Sequence, residues 1–185
     1  MKEMIYAASL FSALSLITFP AFAEIEKIPT PCGDESCYIW WPKLPTIEGW
    51  HQDVSYSLYY GVNAQAPDGF TFRDADAAVY AKALYKPSMS DVDSLDDLMR
   101  KNKAQFSSSY PDIEITDMEA LSTKDGQKLK SFAVFPKKSG GWKMISYGEE
   151  GDYYIVFTLN AHSKDDFTKA LATYKKFIND YQEKP

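Results

Sequence analysis

The second half of the chain alternates strand-forming stretches with tight turns, and this restricts the fold more than any other feature. Ile113 to Thr123 and Gln127 to Phe135 flank Asp125-Gly126, a strong hairpin signal. Trp142 to Gly148 and Tyr153 to Asn160 flank a second turn at Glu149-Glu150-Gly151-Asp152. In the last stretch Tyr153, Ile155, Phe157 and Leu159 alternate with Tyr154, Val156 and Thr158, the period-two pattern of a strand. Strands linked by hairpins run antiparallel, and such a sheet needs amphipathic elements to cover it.

Two stretches have the right period to do so. From Ser163 to Tyr181, Phe167, Ala170, Leu171, Tyr174, Phe177, Ile178 and Tyr181 recur at helical spacing, behind a capping-box-like start at Ser163 and Asp166. From Ser90 to Ser107, Val92, Leu95, Met99 and Phe106 form one stripe, and Ser90 with Asp93 makes a similar start. Acidic residues come first there and basic ones follow, the order that suits a helix dipole.

Upstream, Ala66-Pro67-Asp68-Gly69 reads as a turn, followed by strands at Phe70 to Phe72 and Ala77 to Tyr85. Val54 to Tyr60 is either a two-turn helix capped by Asp53 and ended by Gly61 or Asn63, or a strand, since Ser55 to Tyr60 is also β-prone. The helix is the preferred reading. The expected class is α+β: a largely antiparallel sheet covered by two amphipathic helices, in one domain over 49–185. This order, from Pro67-Asp68-Gly69-Phe70 to the last helix, resembles the PsbP-like α/β/α sandwich. That family includes extrinsic subunits of photosystem II and many small exported bacterial proteins. The resemblance implies binding or assembly more than catalysis, and it carries no functional residue across.

The N-terminus reads as a secretory signal peptide over 1–23. Lys2 precedes an apolar run from Met4 to Phe22, and Ala21-Phe22-Ala23 ends it as a cleavage site. A membrane anchor is the alternative, but the run is marginal against the roughly 20 residues a span needs, and Pro20 breaks it. The leader holds one Lys and one Glu, so its removal leaves the net charge at −6. An acidic chain repels phosphate backbones, which argues against nucleic acid and anionic membrane surfaces as partners. A periplasmic or secreted location is expected. Residues 24–48, rich in proline, read as an extended arm containing Cys32 and Cys37, the only two cysteines. In an exported protein they are expected to form a local disulfide, since the spacing suits neither a zinc knuckle nor a redox pair.

No cofactor, metal or catalytic set emerges. His51 and Asp53 could offer two metal ligands, but no third is identifiable, and His162 reads as a loop residue. The carboxylates at Glu149-Glu150-Gly151-Asp152 do not follow a calcium-loop spacing and read as a solvated hairpin tip. Gly140-Gly141, after Ser139, precedes a strand where a phosphate cradle would precede a helix. The aromatic cluster in the N-terminal region stands out instead. Trp40, Trp41, Trp50, Tyr59 and Tyr60, with His51 beside them, are residue types that build binding hot spots, although they would equally serve to pack the arm on the core. The leading expectation is an exported, non-enzymatic binding or accessory protein that recognises another protein or an envelope component. A small periplasmic hydrolase, or an immunity or inhibitor protein, is the alternative, and homo-oligomerisation stays open.

Overall fold

The computed structural model describes residues 25–32, 35–138 and 140–182, with the side chains of 31–36 outside that set. The expected leader over 1–23 and Ser139 of the Gly140-Gly141 turn lie outside the described residues.

In chain order the elements are β1 (Ile25–Cys32), β2 (Glu35–Pro42), β3 (Trp50–Gln52), α1 (Val54–Tyr60), β4 (Asn63–Pro67), β5 (Ala77–Tyr85), α2 (Leu95–Ser109), β6 (Ile113–Ser122), β7 (Lys128–Pro136), β8 (Trp142–Glu150), β9 (Tyr153–Ala161) and α3 (Lys164–Asp180). Strands β3 to β9 form one antiparallel sheet in the order β3-β4-β5-β9-β8-β7-β6. The fold is therefore α+β, as expected.

Strand β9 lies at the centre, and its alternation feeds two cores. Ile155, Phe157 and Leu159 point to the face covered by α3, where Phe167, Tyr174, Phe177 and Ile178 meet them. Tyr154 and Val156 point to the opposite face, where Leu98 and Met99 of α2 meet them with Phe132, Ile145 and Tyr147. A strand covered on both sides must be apolar on both sides, which explains its nearly unbroken hydrophobic sequence. Under α3, the Tyr174 hydroxyl donates to the Phe157 carbonyl at 3.1 Å and shares a hydrogen bond with Ser146 at 2.8 Å. Ser146 pairs in turn with Ser131 at 2.7 Å, so this buried polar cluster is satisfied. Leu171 sits at the rim of the face, half-buried.

Strand β6 closes one end of the sheet. Its ladder to β7 shifts between Met118 and Leu121, where a bulge adds a residue, and Glu114, Asp117 and Glu119 project from it into solvent.

Three expectations need correction. Residues 24–48 are not a single extended arm: β1 and β2 fold back on each other, with Ile25 opposite Pro42 and Thr30 opposite Cys37. Phe70 to Phe72 is not a strand but a run of turns held by Phe70 N–H to Pro67 and Ala75 N–H to Thr71. The strand lies earlier, at β4, where Ala64 is small enough to let α1 and Phe72 pack close above it. Helix α2 starts at Leu95, capped by Ser94, whose hydroxyl accepts from Asp97 N–H at 3.2 Å. Ser90 and Ser94 both have an Asp three residues on, and the 86–92 segment is used up in consecutive turns, so the later serine wins.

Candidate functional site

Helix α1 is only seven residues long, Val-Ser-Tyr-Ser-Leu-Tyr-Tyr, so its own hydrogen bonds cannot hold it. Its ends are fixed instead. One Asp53 oxygen accepts from Tyr56 N–H at 2.9 Å, and the other accepts from Phe72 N–H at 2.9 Å. These two amide bonds, Phe72 first, hold the Asp53 pKa below the usual carboxylate value. Buried Ser57 donates to the Asp53 carbonyl and accepts from Ala64 N–H, which pins the helix to β4. Gly61 ends it in the left-handed region at φ 66°, and a side chain there would press on Ile39 of β2.

A column of rings runs outward from the sheet along this helix. Tyr80 on β5 meets Phe72 edge-on at 5.9 Å, Phe72 stacks on Tyr56 at 4.1 Å, and Tyr56 meets Tyr60 at 4.2 Å. Tyr59 closes the column against Tyr60 at 4.7 Å. Beyond it the helix displays Tyr59 at 81% exposure and Tyr60, Leu58 and Val54 at about half, and the helix contains no charged residue.

The residues expected to form a binding surface therefore divide. Tyr59 and Tyr60 are exposed side by side. Trp41 is buried at 4% exposure and donates its indole N–H to Glu26 at 2.8 Å. Trp40 stacks on Tyr85 at 6.0 Å and leans on Tyr153, half-buried. Trp50 stands edge-on to Phe177 of α3 at 5.8 Å. These three tryptophans pack the hairpin and β3 onto the body, and they leave the proposed surface. Val54 and Leu58, which were not among the expected residues, are exposed on the same helix and join it. His51 is exposed with Nδ1 3.4 Å from Asp68, while Asp53, its supposed metal partner, spends both oxygens on amides. Among the described residues no group of three His, Cys, Asp or Glu side chains is placed to hold a metal.

The carboxylates of the β8–β9 hairpin also separate. Glu149 pairs with Lys86 on one face at 2.6 Å, whereas Glu150 is buried on the other and accepts from the Tyr181 hydroxyl. They do not form a common solvated tip, because strand alternation continues through both of them. The Cys32 side chain lies outside the described residues, while the backbone register places Cys37 diagonal to Cys32 and opposite Thr30.

No family model matches the chain, and no curated protein matches it.

Proposed function

We propose that this is an exported binding protein that docks another protein on the outer face of α1. The observation that carries the reading is an anchored, uncharged helix on which Val54, Leu58, Tyr59 and Tyr60 are all exposed, Leu58 and Tyr59 on its outer side. A lone exposed apolar residue is ordinary, but a contiguous group on an anchored element is a mark of an interface. Tyrosine gives large contact area with little conformational entropy to lose, and its hydroxyl still bonds across the interface. The net charge of −6 favours an uncharged or basic protein surface over anionic lipid or nucleic acid. Among the described residues no helix is long and apolar enough to cross a membrane. The element order read from the sequence, less the strand at Phe70 to Phe72 that turns replace, resembles PsbP-like proteins, whose known roles lie mostly in binding and assembly.

The test is a Leu58→Ala/Tyr59→Ala double variant with a photo-crosslinking residue at position 55. Its melting temperature should stay within about 2 °C of wild type, as for surface substitutions. Cross-linking to a discrete envelope protein should fall by about tenfold or more. Unchanged cross-linking would sink the proposal, and cross-linking only to a second copy would convert the surface into a self-association interface.

A further inference from the structure

Beside the foot of the α1 ring column, with Tyr80 common to both, a cleft of about 270 Å³ opens between the C-terminal half of α2 and the strands β5 and β9. Its floor holds Tyr80 and Lys82 of β5, Thr158 of β9 and Tyr147 of β8, and its wall holds Gln105, Phe106 and Tyr110. Among the described residues no carboxylate lines it, and Lys82 is its one charged side chain.

That lysine is unlike the others. Among the described residues the other half-buried lysines are each engaged. Lys86 holds Glu149, Lys101 holds Asp91, Lys103 holds Asp117 and Lys143 holds Asn160. Lys82 has no hydrogen-bond or ion-pair partner among the described residues. Burial pushes its pKa below the ordinary lysine value, and no neighbouring charge offsets that. A partly desolvated ammonium without a counter-ion is costly, so an arriving anion gains more here than at an exposed lysine. Tyr147 supplies a second donor. Its oxygen accepts from Asn102 Nδ2 at 3.0 Å, and its proton has no acceptor among the described residues. The carbonyls that end α2 carry about half a negative charge near the rim, which is less than the full charge of the ammonium on the floor.

We propose that this cleft binds a small organic carboxylate, with the anionic group on Lys82 and Tyr147 and an apolar or aromatic body against Phe106 and Tyr110. The volume suits a compact ligand, somewhat below the range of drug-sized pockets. The sheet floor is rigid because Tyr80, Val156 and Tyr147 lie on paired strands of a packed core. The single charge selects anions, and the rings beside it select against small, fully hydrated ones such as chloride or phosphate.

The experiment is an NMR titration of the protein with 3-phenylpropionate, and with phenethylamine and 3-phenylpropanol as analogues of opposite and zero charge. The carboxylate should give saturable shifts at Gln105, Phe106 and Tyr110, with a Kd of about 1 mM or tighter. The amine and the alcohol should bind at least about tenfold more weakly, the factor expected for losing a charged hydrogen bond. Lys82→Met should weaken carboxylate binding by about tenfold or more, and Lys82→Arg should keep it within about threefold. The arginine variant keeps the charge, so it separates loss of the site from loss of the fold. No saturable shift up to about 10 mM, equal binding of the three compounds, or unchanged affinity in Lys82→Met would each overturn the proposal.

Discussion

Asp53 and Phe72 lie nineteen residues apart, yet the carboxylate of one caps the amide of the other at 2.9 Å while its second oxygen caps α1. One side chain thus starts the short helix and ties it to the turn that carries the stacked ring beneath it. Asp53→Ala removes both bonds and should cost about 1–3 kcal/mol by urea unfolding, the sum of a lost cap and an orphaned amide. The pH dependence follows in sign. The folded pKa is depressed, so the contribution is present above the unfolded value near 3.8 and is lost as pH falls through the folded pKa. Wild type minus Asp53→Asn stability should therefore shrink on acidification below about pH 4. A difference that stays constant from neutral pH to about pH 2 would show that the carboxylate charge is not what holds α1.

Tyr174→Phe tests the polar cluster beneath α3. The phenol is fully buried, and desolvation pushes its pKa well above the ordinary tyrosine value, so it remains a donor at any physiological pH. Removing it leaves the Phe157 carbonyl and Ser146 each short of a partner. A loss of about 1–3 kcal/mol in unfolding free energy is expected, with the native fold retained by circular dichroism. Wild-type stability in the variant would mean that the hydrogen bonds there contribute nothing net.

Gly148 of β8 is held by packing, not by backbone conformation. A Cβ at this position would overlap Leu129 Cδ2 on the neighbouring strand. Gly148→Ala should destabilise by about 1–3 kcal/mol through overpacking. Combining it with Leu129→Val should recover part of that loss, and purely additive effects would rule out the contact as the cause.

The cysteines and the leader are open to direct chemical measurement. Native exported protein should give no reaction with a thiol reagent until reduced, because Cys32 and Cys37 are proposed to pair. Mass spectrometry of the same sample should place the N-terminus at or near Glu24. Two reactive thiols in native material, or an envelope form beginning at Met1, would refute these proposals separately.

What the sequence could convey depended on how far the physics of each segment was local. The strands β5, β8 and β9, the hairpin at Asp125-Gly126 and the helix α3 were legible because periodicity and turn residues act over a few neighbours. Helix α1 was legible only as the preferred of two readings, from Asp53 at its start and Gly61 or Asn63 at its end, because Ser55 to Tyr60 is also β-prone. Strand β4 was not, since Asn-Ala-Gln-Ala-Pro has no strand propensity and is extended only because β5 and β3 pair with it. The three tryptophans looked like a surface because their covering elements are distant in sequence. Phe177 lies far downstream of Trp50, and Tyr153 far downstream of Trp40. Lys82 had no sequence signature at all, because its significance rests on which groups the fold keeps away from it.

The shifted ladder of β6 bears on how the chain behaves at high concentration. An end strand offers unpaired backbone groups, and a neighbouring molecule could add to it and so on without limit. Here the bulge at Met118 to Leu121 spoils the register such an addition would need, and Glu114 and Glu119 would meet like charges on an incoming copy of the same strand. The other end stops after the three residues of β3 and turns straight into α1. Both borders of the seven-stranded sheet are thereby poorly matched to the addition of a like strand.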